Sequence, residues 1–347
     1  MIRSRRAVAY PAFSASGTNG WRSWLFLGLL LCASWGRCDD IAVATTIVPD
    51  KGLYVSEQYT FEQLRVRTDV VYSTRPNPGG LQYTSDRTKP AELGNPTLAL
   101  KLDIAVPPNA TASRPQPLIL WIHGGGFYGG GKEDMRAEAL SYARAGYVAA
   151  TVNYRLTANN MASPATRLIA ITQASEDVMN AIRYLKANAA LYHIDADRIA
   201  TIGSSAGGGI SLINAIEFDT LQHTVSDDAA TSSRVAAAIS TGATLVDATA
   251  RTKSLLTYDA KDTPVMLFHA SPIDSVTGAT WTGNVLPTCD RINASGNHCT
   301  TAAQADKTHT TNLALGGVWW PLLKPFLWEA LRLGVLSEQG PAVAFKP

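Results

Sequence analysis

A serine stands in Gly203-Ser204-Ser205-Ala206-Gly207, a G-x-S-x-G spacing between an apolar run, Arg198 to Gly203, and a helix-like stretch, Ala206 to Ile216. Such a spacing suits a nucleophile on a tight strand–turn–helix corner. Glycines two residues before and after the serine let the two elements pack closely, the hydroxyl projects above the sheet edge, and the next backbone N–H points at the substrate oxygen. The start of the helix adds positive potential where an oxyanion develops. A plain glycine-rich turn or a phosphate cradle shares some of these residues, so the surroundings decide. They supply His123-Gly124-Gly125-Gly126-Phe127 at the end of a second apolar run, Pro117 to Ile122. Consecutive glycines let backbone N–H groups approach a tetrahedral oxyanion without Cβ clashes. No Lys-Ser or Lys-Thr pair closes this loop, and Gly129, Gly130 and Gly131 do not fit G-x-G-x-x-G, which argues against the phosphate reading. Acyl transfer through Ser205 is the chemistry that fits both motifs.

Two such motifs need a scaffold that ends strands at one edge. Val66 to Tyr72 alternates weakly and reads as an edge strand; a Pro/Gly/Asn-rich loop follows from Arg75 to Pro96, and Leu98 to Val106 reads as a second strand. The unbroken apolar character of Pro117 to Ile122 is that of a strand buried on both faces. A short helix over Glu133 to Ala145 stops at Gly146, and Tyr147 to Val152 is the next strand. The longest helix spans Thr166 to Ala190, with Ala174, Val178, Ala181, Ile182 and Leu185 on one face. Strands are also expected over Val235 to Ser240 and Pro264 to Phe268, and a closing helix over Pro321 to Leu333. Alternation of this kind calls for a mostly parallel sheet with helices on both faces, an α/β fold whose sites lie at the carboxyl ends of strands.

The HGGG loop, Asn153-Tyr154-Arg155-Leu156, Ile194-Asp-Ala-Asp-Arg-Ile199 and the Gly-Ser-Ser-Ala-Gly-Gly corner resemble the α/β-hydrolase esterases of the hormone-sensitive-lipase-like and feruloyl/acetylxylan-esterase-like (BD-FAE-like) groups. The resemblance runs from about Leu98 to Leu333 and is strongest from Leu118 to Ile216. It implies an α/β-hydrolase fold and oxyanion donors at Gly125, Gly126 and Ala206. The acid and then the histidine of a Ser-His-Asp triad follow the nucleophile in chain order. His309, just before Trp319-Trp320-Pro321, matches the histidine that precedes the family's closing helix, although Thr308 stands where the family has glycine. His298 is the alternative. For the acid, the family's H-G-x-x-D appears here as His269-Ala-Ser-Pro-Ile-Asp274, one residue longer and with Ala270 for glycine; Asp274 is favoured over Asp247. His123, His269 and Arg155 are read as structural.

The remaining sequence bears on location and partners. Arg3, Arg5, Arg6 and Arg22 precede the ten-residue run Trp24 to Ala33, and no acidic residue comes before Asp39. The run is too short to span a bilayer and has the form of a signal peptide, residues 1–38, cleaved between about 33 and 38. Residues 39–347 then form a single α/β-hydrolase domain with an N-terminal extension to about 65, secreted and without stable membrane insertion. Leu31 before Cys32 argues against lipid attachment. In an oxidising compartment Cys289 and Cys299, which enclose nine residues, would form a disulfide. Asn109-Ala-Thr111 and Asn293-Ala-Ser295 are glycosylation sequons. Charged residues are 17% of the chain with a formal net charge of +2, which gives no reason to invoke nucleic acid. No Cys/His cluster has metal-ligand spacing, and no cofactor is expected. The polar stretch from Ser275 to Asp306 is expected to overhang the site. The function expected is hydrolysis of short-chain or aryl carboxylic esters, with acetyl or feruloyl groups on polysaccharide as the second choice. A peptidase of the prolyl-oligopeptidase kind and a catalytically silent binding module are the alternatives.

Overall fold

A computed structural model describes residues 52–77, 83–84 (backbone), 94–158, 161–219, 227–228, 230–245 and 256–334. The expected signal peptide and Asp247 lie outside the described residues. In chain order the strands are β1 (Arg65–Pro76), β2 (Tyr83–Thr84), β3 (Thr97–Val106), β4 (Gln116–Ile122), β5 (Val148–Val152), β6 (Leu156–Thr157), β7 (Ile194–Ser204), β8 (Ala237–Thr241), β9 (Val265–Ala270) and β10 (Cys299–Gln304). The helices are α1 (Arg136–Arg144), α2 (Pro164–Ala187), α3 (Ala189–Tyr192), α4 (Ala206–Ile216), α5 (Leu286–Ala294) and α6 (Trp320–Ala330).

Eight strands form one sheet in the order β1-β3-β5-β4-β7-β8-β9-β10. β3 runs antiparallel to both of its neighbours, and every pair from β5 to β10 is parallel. The apolar run of β4 shows how the layers arise. Leu118, Leu120 and Ile122 enter the core beneath α2 and α4, while Ile119 and Trp121 between them enter the core beneath α1 and α6. β9 alternates in the same way, Val265 and Leu267 to one side, Met266 and Phe268 to the other. A strand with two buried faces is mostly apolar, and each fully buried aliphatic side chain contributes about 1.5–3 kcal/mol.

The helix boundaries follow local chemistry. The Ser163 hydroxyl accepts the Thr166 N–H at 3.1 Å and Pro164 takes the first helical position of α2, where its missing N–H costs nothing. The five apolar residues read as one face of this helix are all buried. Past α1 the chain turns at Gly146, φ +108°.

The stretch from Ser275 to Asp306 departs from expectation. It is not a polar overhang: after a single turn over Trp281–Val285 it builds α5 and the edge strand β10, and only residues 276–279 face the site's cavity. Apolar residues are few here, but Val285, Cys289 and Ile292 fall at helical spacing and are buried. The Cys289–Cys299 disulfide, with Cα atoms 5.3 Å apart, ties α5 to the start of β10. Closing a loop of this length contributes about 2–3 kcal/mol in the chain-entropy view, which offsets the small core of this unit.

Candidate active site

Chain order places a crevice in this sheet. From β4 the chain moves outward to β5, then crosses back to pair β7 on the other side of β4, so the C-terminal ends of β4 and β7 open onto a topological switch point. β4 leads into the His123–Phe127 loop, and β7 leads into Ser205.

Ser205 sits at the N-terminus of α4 with φ 53° and ψ −117°, a region that side chains other than glycine seldom occupy. The surrounding backbone holds it there. Its N–H donates to the Thr241 carbonyl at 2.8 Å, and its own carbonyl accepts the Gly209 N–H at 3.0 Å. Strain of this type costs on the order of 1–3 kcal/mol and persists only when the neighbours fix it. The glycines of the motif are steric requirements: a Cβ on Gly203 would overlap the Gly207 carbonyl, and one on Gly207 would overlap the Ile122 carbonyl.

His309 Nε2 lies 2.7 Å from the Ser205 hydroxyl, and His309 Nδ1 lies 2.6 Å from Asp274 Oδ2. The second Asp274 oxygen accepts the N–H groups of Val276 and Thr277 at 2.7 and 2.8 Å. Burial opposes ionisation of this carboxyl, but the hydrogen bond with His309 and the two backbone donors outweigh it, and Asp274 titrates below the usual carboxylate range. An ionised carboxylate only accepts, so Nδ1–H donates to it, and in the neutral imidazole Nε2 is then left to accept from the serine hydroxyl. The extra residue between His269 and Asp274 does not lengthen the reach to His309.

The other histidines fall elsewhere. His298 is exposed at the opposite end of the sheet, where β10 begins, and its carbonyl accepts the Val265 N–H. His123 is fully buried, stacked on the Tyr154 ring at 4.3 Å with Nδ1 2.7 Å from the Gly124 carbonyl. His269 is fully buried, its Nε2 3.9 Å from Asp274 Oδ2. Arg155 makes a paired contact with Asp177, Nε and Nη2 each at 2.8 Å, behind the Asn153–Leu156 turn.

Gly125 and Gly126 both have positive φ, 109° and 62°. The Gly125 carbonyl accepts the N–H groups of Tyr128 and Gly129, and the Gly126 carbonyl accepts Nη1 of Arg167 at 2.6 Å. Gly125, Gly126 and Ala206 line one cavity of about 1220 Å³ together with Ser205 and His309. Thr241, which holds the Ser205 N–H, and Arg167, which holds the HGGG loop, were not singled out in the sequence. Neither carries a motif: Thr241 acts through its carbonyl, and Arg167 is one arginine in the first turn of a helix. At the sequon Asn109, the amide nitrogen already donates to Gln116 Oε1 and the Gly146 carbonyl.

Sheet order, strand-end loop and elbow together define the α/β-hydrolase fold. The BD-FAE family profile matches residues 102–279, just over half of the chain, and the chain belongs to that family. Among curated proteins it is similar to Carboxylesterase 3 of Pongo abelii, 32% identical over 111 residues, which is 32% of this chain and 19% of that one. It is also similar to the para-nitrobenzyl esterase of Bacillus subtilis, 30% identical over 105 residues, 28% of this chain and 21% of that one. The matched stretch thus spans about a fifth of these relatives. Among solved structures, esterase 2 of Thermogutta terrifontis with butyrate bound superposes at a TM-score of 0.58 with 20% identity, covering 81% of this chain and 98% of that one. The same protein with propionate bound gives 0.57 at 19% identity, covering 81% and 98%. At such identities the structural likeness speaks for the fold.

Proposed function

We propose that this protein is a secreted serine esterase that hydrolyses short-chain or aryl carboxylic esters, with Ser205 as nucleophile, His309 as base and Asp274 as the acid that orients it. The observation that carries the reading is the continuous hydrogen-bonded line from Ser205 Oγ through His309 to Asp274 at 2.7 and 2.6 Å. In the first step the Ser205 oxygen bonds to the ester carbonyl carbon while its proton passes to His309 Nε2. The carbonyl electron pair moves onto oxygen, and the N–H groups of Gly125, Gly126 and Ala206 receive that charge. Collapse of the tetrahedral species breaks the bond to the alcohol oxygen, which takes the proton from His309. Water, deprotonated by the same imidazole, then releases the acid and regenerates Ser205. Asp274 stays ionised throughout and stabilises the imidazolium.

Short acyl chains are supported by the propionate and butyrate bound to the Thermogutta esterase. Acetyl or feruloyl groups on polysaccharide are the second choice, in keeping with the family. Secretion is supported by the N-terminal pattern and by a disulfide suited to an oxidising compartment. Among the described residues no helix is long and apolar enough to cross a membrane.

A panel of p-nitrophenyl esters from C2 to C16, run beside methyl ferulate and acetylated xylan, tests the reading. Activity should be highest at C2 to C4 and decline gradually, because one methylene changes discrimination by only about 1–3 kcal/mol. Peak activity at C12 or longer would make the protein a lipase. Turnover of a prolyl-peptide substrate without ester turnover would move it to the peptidases.

A further inference from the structure

Arg167 carries a charge with no carboxylate within ion-pair distance among the described residues. The buried arginines among the described residues, Arg75, Arg155, Arg183 and Arg198, each lie within ion-pair distance of a carboxylate. Arg167 has no such partner among the described residues. It stands half-buried in the first turn of α2, with its guanidinium 4.7 Å over the Phe127 ring and one N–H given to the Gly126 carbonyl. Burial holds its pKa below the usual arginine value, against the opposing influence of Tyr154 and Tyr128. A guanidinium has five N–H donors, and pinning a carbonyl needs only one of them. A neutral donor would pin Gly126 without the cost of desolvating a charge. The position of this cation gives the cost a use, for Arg167 lines the same cavity as Ser205 and His309.

Asp134 and Glu138 line the same cavity, and Asp134 Oδ2 is already bound by the Gly131 N–H. Resting on the ester-hydrolase reading above, we infer that Arg167 is a specificity-determining residue and that the substrates are esters bearing a carboxylate, held against the α2 wall. A planar guanidinium matches a carboxylate in geometry as well as charge, and the contacts with Phe127 and the Gly126 carbonyl hold it in place before the substrate arrives.

Two substrate pairs test this and separate the two places the carboxylate could sit. The mono-4-nitrophenyl ester of adipic acid against its carboxamide counterpart puts the charge on the acyl side. 4-Acetoxybenzoate against 4-acetoxybenzamide puts it on the alcohol side. In at least one pair, wild-type kcat/KM should favour the acid by roughly tenfold or more, the range expected for hydrogen bonds to a charged group. Arg167→Met should erase that preference mainly through KM, and Arg167→Lys should keep part of it. The amide in each pair reports any loss common to all substrates through the Gly126 contact, so the ratio isolates the charge. A wild-type ratio at or below one in both pairs, or a ratio unchanged in Arg167→Met, overturns the inference. If Arg167→Met does not fold, the wild-type preference must still shrink as salt rises; a salt-independent preference counts against it. Failure to hydrolyse any of the four esters would instead overturn the ester-hydrolase reading itself.

Discussion

Gly242 lies so close to His309 that a Cβ there would overlap the His309 carbonyl oxygen and crowd its ring. Its neighbour Thr241, the last residue of β8, accepts the Ser205 N–H. The end of one strand therefore sets the backbone of both the proposed nucleophile and the proposed base, which are 104 residues apart in the chain. Gly242 also has φ 70°, so any side chain adds strain to the overlap. Gly242→Ala should displace the His309 loop. A misplacement of about 1 Å costs on the order of a hundredfold in rate. We expect kcat to fall by that order while urea unfolding stays cooperative; full activity would mean that the His309 loop does not depend on this contact.

Asp274→Asn tests the acid. The amide is nearly isosteric, and its carbonyl can keep accepting from Val276 and Thr277. It no longer enforces a proton on His309 Nδ1. Loss of the correct tautomer should lower kcat on the order of ten-thousand-fold with KM changed only a few-fold. A kcat within tenfold of wild type would show that another carboxylate, such as Asp247, orients the imidazole.

Asp103 on β3 offers a test of electrostatic stability away from the site. Lys132 Nζ lies 2.9 Å from its carboxylate, and Arg136 contacts the other oxygen. Burial raises the pKa of Asp103, but the bonds from Lys132 and Arg136 outweigh it and the net shift is downward. A group with a depressed folded pKa stabilises fully above its unfolded value, about 3.9, and loses that contribution as pH falls through the lower folded value. Lys132 keeps Asp69 and Glu133 within ion-pair distance, so Asp103→Asn should cost about 1.5–3 kcal/mol at pH 7, the range for lost hydrogen bonds to a charged group. Urea unfolding near pH 2.5 should show a much smaller penalty. An equal penalty at both pH values would indicate lost packing rather than lost charge.

The sheet was legible because its buried strands are apolar runs closed by glycine or proline, and because α2 carries a strict apolar face. Ser205 and the HGGG loop stand out for a different reason: the chemistry proposed for them requires particular residues at fixed spacing. Residues that act through backbone atoms leave no such signal, which is why Thr241 was not foreseen. The stretch 281–304 was misread because α5 and β10 sit at the sheet edge, where one face meets solvent. The few apolar residues that bury them, Val285, Cys289 and Ile292, are spread among Thr, Asn and Asp. The position of Asp274 was legible only through the family pattern, since the turn that separates it from β9 carries no signal of its own and is one residue longer here.

The central claim is that Ser205 is the nucleophile, and covalent labelling tests it most directly. After treatment with a serine-directed phosphonate, intact mass and peptide mapping should show one adduct, on the peptide containing Ser205. Ser205→Ala should show no adduct and should lose on the order of a million-fold in kcat while remaining folded. An adduct on Ser204 or on any other residue, or labelling and ester turnover that persist in Ser205→Ala, would contradict the account.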